Sequence, residues 1–259
     1  MRRFGGAGAP TVLMCRLLCV HSRRPFPIAP HLDVFATIAR DSREYQGHGW
    51  GCAWLEDGDW RLYRDIRPVW EDRRDGFGET TLLLAHARSA FRDEGIRIEN
   101  NMPFEDGRHV FIFNGELRGV RIREEGRIGA EKVFNYVKRF DRGDMHEALA
   151  RGLAVIEKRT RYVRAMNVIM ASPSRVHVSC RFAEDPDYFQ LRERDDGDTR
   201  VVCSDPYPGT EGWARIDNGA VLTRELRATT PELGLRPFPK RDGVVTGDLV
   251  DRLREETGD

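Results

Sequence analysis

Four polar clusters stand where apolar runs stop: Met14-Cys15, His48-Gly49-Trp50-Gly51, Ala85-His86-Ala87-Arg88 and Phe113-Asn114-Gly115-Glu116. Binding and catalytic residues concentrate where a rigid scaffold gives way to loops, and four such clusters in one chain point to convergence. Cysteine is a strong nucleophile, but it needs a base. No histidine pairs with Cys15 by spacing. An α-amino group, whose pKa is about 7.7–8.0, would serve if Cys15 were the first residue, because base and thiol would share one residue. A start at Met14 followed by loss of that methionine delivers this, so residues 1–14 are expected to be an extension absent from the mature protein. Attack on a carboxamide creates an oxyanion, and the Asn114 side-chain amide with the Gly115 N–H is a compact donor pair for it. Arg88 could fork onto a carboxylate.

Plainer readings stand beside these. Cys15 could be a core thiol, and Asn114-Gly115 is a common hairpin turn. Arg88 could be an ion-pair partner and His86 a structural histidine, while His48 and Trp50 could line or brace a pocket. Cys19 and Cys52 read as core residues, and Ser204-Asp205, which could neighbour the site at a late strand end, reads first as a turn.

The bulk numbers narrow the class. Lys and Arg total 42 and so do Asp and Glu, so no net charge favours nucleic acid or anionic lipid. The basic run from Arg151 to Arg164 reads as a solvated helix face with cations near its C-terminal end. Five widely spaced cysteines argue against a disulfide framework, and no ligand spacing calls for a metal or other cofactor. No apolar run reaches the length of a membrane span. The apolar stretch after Arg2-Arg3 is broken by Arg16, which argues against an export signal, so a cytoplasmic location is expected.

Periodicity places the clusters. Strands are expected at 16–20, 51–55, 60–66, 80–87, 109–113, 166–170, 176–182, 188–192, 201–203 and 220–222. Glu56-Asp57-Gly58-Asp59 reads as a hairpin turn. Helices are expected at 31–45, 130–140 and 144–158. Strands, then two helices, then strands again imply one α+β domain of layered sheets, bounded as 15–227, with a polar tail at 228–259.

The ordered set M-C-R-L-L, G-W-G, A-H-x-R, E-N-x-x-P-F and N-G-E-L, over about 14–226, resembles the class II glutamine amidotransferases, the N-terminal-nucleophile group. The branch it resembles most is the stand-alone bacterial glutaminase-domain proteins. The resemblance implies a four-layer αββα sandwich. It also implies hydrolysis of a γ-glutamyl amide through a thioester on Cys15, with Asn114 and Gly115 as the oxyanion hole. Arg88 would anchor the substrate α-carboxylate, and His86, Trp50 and Gly51 complete the expected substrate-binding set. The implied partners are a small γ-glutamyl molecule and a separate ammonia-accepting synthase, with no nucleic acid or membrane. Four departures bear on substrate. Phe113 and Met102 stand where the family often has His, Gly129 stands where it often has an Asp that holds the substrate amine, and the extension precedes Met14. The expected substrate is glutamine or a γ-glutamyl conjugate, the conjugate being easier to accept with Gly129. Gly129, Phe113 and Met102 favour the alternative of a catalytically inactive binding or regulatory module that retains the fold, and an extension that is kept would bury the Cys15 α-amine in a peptide bond.

Overall fold

The structure is a computed structural model and describes residues 14–90 and 94–226. The expected tail, and all of the expected extension except Met14, lie outside the described residues. In the first half, strand β1 (Arg16–Pro27) leads into helix α1 (Ile28–Arg40), the hairpin β2 (Trp50–Glu56) and β3 (Asp59–Asp65), then β4 (Glu79–Ala87). Next come β5 (Phe104–Glu105), β6 (Val110–Val120), and helices α2 (Gly129–Lys138) and α3 (Met145–Lys158). Strands β7 (Thr160–Ser172) and β8 (Arg175–Ser179) follow, then a short helix α4 (Pro186–Phe189). The last strands are β9 (Arg192–Asp195), β10 (Thr199–Cys203), β11 (Ala214–Arg215) and β12 (Val221–Glu225).

Two antiparallel sheets result. One has seven strands in the order β11-β9-β10-β1-β4-β2-β3, and the other has five in the order β12-β8-β7-β6-β5. Helix α1 packs on β1 and β4, α3 packs on β7, β8 and β12 with α2 beside it, and β1 and β4 face β6 across the middle. These are the four αββα layers. Strands sandwiched in this way are buried on both faces, which is why their sequences run apolar without alternation. In β1, Leu17 and Cys19 join the core between the sheets, while Leu18 and Val20 join the core under α1. Helix α1 reaches that second core with Leu32, Phe35 and Ala39, one helical turn apart. Leu32 and Phe35, fully buried, each contribute roughly 1.5–3 kcal/mol. Asp144 caps α3 by accepting the Glu147 N–H at 3.1 Å.

The hairpin forms where Asp57-Gly58 predicts it, with φ of 54° and 88°. Three elements differ from the sequence reading. Helix α1 begins at Ile28 and stops at Arg40, so it lies upstream of the expected 31–45. The segment expected as a strand at 188–192 opens as α4, because Asp185 takes a left-handed turn and Pro186 then starts a helical turn. Strand β6 does not end at Asn114-Gly115. It runs on to Val120, pairing Asn114 with Asn167 and Gly115 with Met166, so the Asn-Gly pair is mid-strand and not a hairpin turn.

Candidate active site

The first three clusters meet because of antiparallel register. Arg16 pairs with Ala87 and Leu17 with His86, while Trp50 pairs with Ala87 and Gly51 with His86. The start of β1, the start of β2 and the end of β4 therefore share one end of the seven-stranded sheet. His48 N–H donates to Arg88 O at 3.1 Å, Arg88 N–H to Gly49 O at 2.9 Å, and Ala90 N–H to His48 Nδ1 at 2.8 Å, so the 48–49 segment clamps residues 88–90. A cavity of about 590 Å³ opens there, and Cys15, Arg88, Phe113, Gly115, Glu116 and Gly129 are on its walls.

Cys15 Sγ lies 3.5 Å from the Ser89 N–H, which donates to it, and 3.8 Å from Ser89 O. Burial raises the thiol pKa, opposed by the Ser89 backbone and then by the Arg88 and Arg16 charges. A thiol held neutral in this way needs a base before it can attack. The four other cysteines are buried, and burial raises their pKa values too, Cys203 to about 12. Arg88 is buried, with its Nη1 donating to Gly95 O at 2.9 Å and to Asn101 Oδ1 at 3.4 Å. No carboxylate pairs with it among the described residues. A buried guanidinium without a counterion is costly unless an anion arrives.

Phe111 stacks on Phe134 of α2 with centroids 5.0 Å apart, so the odd positions at the start of β6 face the helices. The even position 114 faces the other sheet. Asn114 is 1% exposed, and neither its Oδ1 nor its Nδ2 has a hydrogen-bond partner among the described residues. Its cross-strand neighbour Asn167 is fully satisfied, donating to Phe189 O at 2.7 Å and accepting from Arg181 N–H at 2.8 Å. An unpaired buried amide costs about 1–3 kcal/mol and asks for an explanation. At Gly115 an added Cβ would lie 2.3 Å from Ala165 O, so only glycine lets β6 approach that carbonyl.

Asn114, Trp50, Gly51 and His86 are not on the cavity wall. Trp50 is fully buried in the core under α1, donating from Nε1 to Asp72 Oδ2 at 2.9 Å, and its side chain is not on the cavity wall. Gly51 faces the space between the sheets, where a Cβ would come within 2.5 Å of Met102 O. His86 is buried at the same level, and neither ring nitrogen reaches a hydrogen-bond partner at ordinary geometry among the described residues. Burial, with Arg88 behind it, lowers the His86 pKa to about 3 and keeps the ring neutral.

Sequence reading missed Gln46, Ser89, Asn101 and Tyr188. Gln46 Nε2 and Tyr188 OH donate to Met14 O at 2.6 and 3.0 Å. Arg16, stacked 4.0 Å from the Tyr188 ring centroid, also pairs with Asp205 at 3.0 Å. Ser204 Oγ accepts the Leu17 N–H at 2.9 Å. The start of β1 is thus fixed from four sides. Asn101 had a signal, since it sits inside the E-N-x-x-P-F segment. Tyr188 had none, being 174 residues from Met14.

Burial of neutral histidines has a measurable consequence. His21 and His177 are lowered to about 4 and His86 to about 3, burial being the first cause in each. Their unfolded value is about 6.5. Between those limits the unfolded chain binds more protons, so stability is present above pH 6.5 and is lost as pH falls through this window. At pH 5, His86 and His177 each account for roughly 2 kcal/mol of that loss. Melting temperature is expected to fall by on the order of 10 °C from pH 7.5 to pH 5. A flat profile across that range would contradict neutral burial.

No helix among the described residues is long and apolar enough to cross a membrane, and no group of three His, Cys, Asp or Glu residues among them could hold a metal ion. No protein-family profile matches the sequence, and no curated protein sequence matches it significantly. Solved structures do match. A glutamine aminotransferase class-II domain protein from Silicibacter pomeroyi aligns with a TM-score of 0.57 at 18% identity, over 81% of this chain and 94% of that one. A predicted glutamine amidotransferase from Pseudomonas aeruginosa PA01 aligns at 0.54 and 16% identity, over 82% of this chain and 100% of that one. The glutamine phosphoribosylpyrophosphate amidotransferase of B. subtilis aligns at 0.59 and 13% identity, over 82% of this chain but 49% of its own length. With the sheet order, the layers and these alignments together, the chain has the fold of the class II glutamine amidotransferase domains.

Proposed function

We propose that the protein is a glutamine amidotransferase-type amidohydrolase that cleaves a γ-glutamyl amide through a thioester on Cys15, in a mature chain that begins at that residue. The observation that carries this reading is the buried Arg88, without a carboxylate partner among the described residues, on the wall of the cavity that holds the Cys15 thiol. The Cys15 α-amine takes the thiol proton, and Sγ bonds to the γ-carbonyl carbon. The oxyanion is met by the Asn114 amide and the Gly115 N–H. The C–N bond then breaks, the nitrogen takes the proton back from the ammonium, and ammonia or an amine leaves. Water, deprotonated by the same amine, adds to the thioester. The C–S bond breaks, glutamate departs and the thiol is restored. Gln46 and Tyr188 hold Met14 O in the longer chain and are themselves held by Glu44 O and Ser42 Oγ, so they stand fixed beside the position of the new amine. If ammonia is passed on, a separate synthase receives it.

The cavity favours a γ-glutamyl conjugate with an apolar amine over bare glutamine. Val120, Ile122, Ile128 and Val133 wall it, and its volume of about 590 Å³ suits a drug-sized ligand. Gly129 stands on the same wall, with open space where a Cβ would point, and supplies no carboxylate for a substrate amine.

A diazoketone analogue of glutamine tests the reading. Intact mass of protein expressed from its native gene should show a chain beginning at Cys15 and one analogue adduct, located on Cys15 by peptide mapping. In Arg88→Ala the labelling rate at low analogue concentration should fall about 10²-fold, mostly through weaker binding, as expected for loss of a charge-assisted fork. A processed chain that takes no label would leave the fold as a binding module.

A further inference from the structure

The basic run at 151–164 is not a plain solvated helix face. Its Arg151 and Arg159 join Arg121, Arg123, Arg139 and Arg142 around a cavity of about 500 Å³ that shares no lining residue with the Cys15 cavity. Four chain segments supply these six: the residues after β6, the C-terminal end of α2 with the turn beyond it, the exposed side of α3, and the α3–β7 junction. The segments are tied together, since Arg121 N–H donates to Arg159 O at 2.9 Å and Arg139 Nη1 to Arg123 O at 3.2 Å. Tyr136 and Phe140, edge to face at 5.4 Å, form the apolar wall. Lys158 and Arg161 line an adjoining hollow that shares Arg121 and Arg159.

Ordinary causes account for part of the cluster. Arg139 and Arg159 close the C-terminal ends of α2 and α3, where cations are favoured. Glu124 pairs with Arg139 at 3.4 Å and Glu147 with Arg151 at 3.1 Å. Arg142 reaches only the carbonyl of Asp141, at 3.4 Å. Arg121, Arg123, Arg142 and Arg159 have no carboxylate partner among the described residues. In a chain of zero net charge, gathering unpaired guanidiniums in one hollow is self-repulsive and leaves their forks free for phosphate oxygens.

We propose that this cavity binds a small molecule carrying two or more phosphate groups. Its concavity and volume, within the range of small-molecule sites, favour such a ligand over a nucleic-acid strand, which follows an open basic groove. One backbone segment borders both this cavity and the Cys15 cavity. Along 120–123 the side chains alternate, with Val120 and Ile122 lining the Cys15 cavity and Arg121 and Arg123 lining this one.

Calorimetric titration of the full chain with inorganic triphosphate and with ATP, at low and at moderate salt, tests the proposal without any activity assay. Saturable one-to-one binding is expected, weakened at least tenfold by Arg121→Ser with Arg159→Ser and also weakened by salt. Equal affinity for the two ligands would assign recognition to the phosphates, and tighter ATP binding would add the Tyr136–Phe140 wall; both support the site. Arg142→Ala, a single exposed change, should weaken binding severalfold with unchanged melting, and Arg175→Ala, elsewhere on the surface, should not weaken it. Absence of binding by either ligand, affinity unchanged in the double variant and in Arg142→Ala, or binding confined to a fifteen-nucleotide single strand would overturn it.

Discussion

Replacing Cys15 by serine is expected to lower turnover by on the order of 10³-fold or more, with the melting temperature held within about 2 °C. The two halves of this result come from different properties of the same atom. A hydroxyl fills the thiol's place and can keep the Ser89 contacts, at 3.5 and 3.8 Å in the parent, so folding has little to lose. It is a far weaker nucleophile, and the acyl intermediate would be an ester instead of a thioester. No other cysteine can substitute, because Cys19, Cys52, Cys180 and Cys203 are buried and none of them is on the cavity wall. Glutamate release from a γ-glutamyl amide gives the rate, and the mass of rapidly quenched enzyme gives the acyl adduct. Intact mass should first show that the variant also begins at residue 15. Turnover retained in a correctly processed Cys15→Ser chain would move the chemistry to another residue.

The parts of the site that could be read from sequence are those whose chemistry and position coincide in a short segment. Met14-Cys15 and Ala85–Arg88 stand at the ends of apolar runs, and antiparallel pairing of those runs brings them together. Asn114-Gly115 could be proposed from sequence as a donor pair, but its place in the fold was not legible. Its identity as a turn or a strand interior depends on β7, whose pairing continues past it to Val120. Trp50 was ambiguous for a similar reason. In a strand buried on both faces an aromatic carries no sign of which face it takes, and this one packs under α1 with Tyr63 and Phe77. Gln46 and Tyr188 were illegible, because hydrogen bonds to Met14 O from 32 and 174 residues away leave no local pattern. The arginine cavity lay between these cases. The run at 151–164 was visible as charge, but its concavity required Arg121 and Arg123 from a separate strand end.

Asn114→Ala should reduce kcat by about 10²–10³-fold while leaving KM within a few-fold. An oxyanion donor acts on charge that develops only in the transition state, so its loss falls on kcat and not on substrate affinity. Stability should move little, and here the unpaired amide is informative. Both polar atoms of Asn114 are buried without a partner among the described residues, so truncation removes a group whose desolvation the folded state already bears. That gain opposes the cost of the small void left behind, a few side-chain atoms wide. The same change at Asn167, which holds Phe189 O and the Arg181 N–H, should do the reverse, lowering melting temperature by several degrees through two broken buried hydrogen bonds. Thermal melts and steady-state rates on the two variants separate the roles of cross-strand neighbours that look alike in sequence. If Asn114→Ala melts like Asn167→Ala and keeps its kcat, Asn114 is a packing residue, and the oxyanion must be met by backbone donors alone.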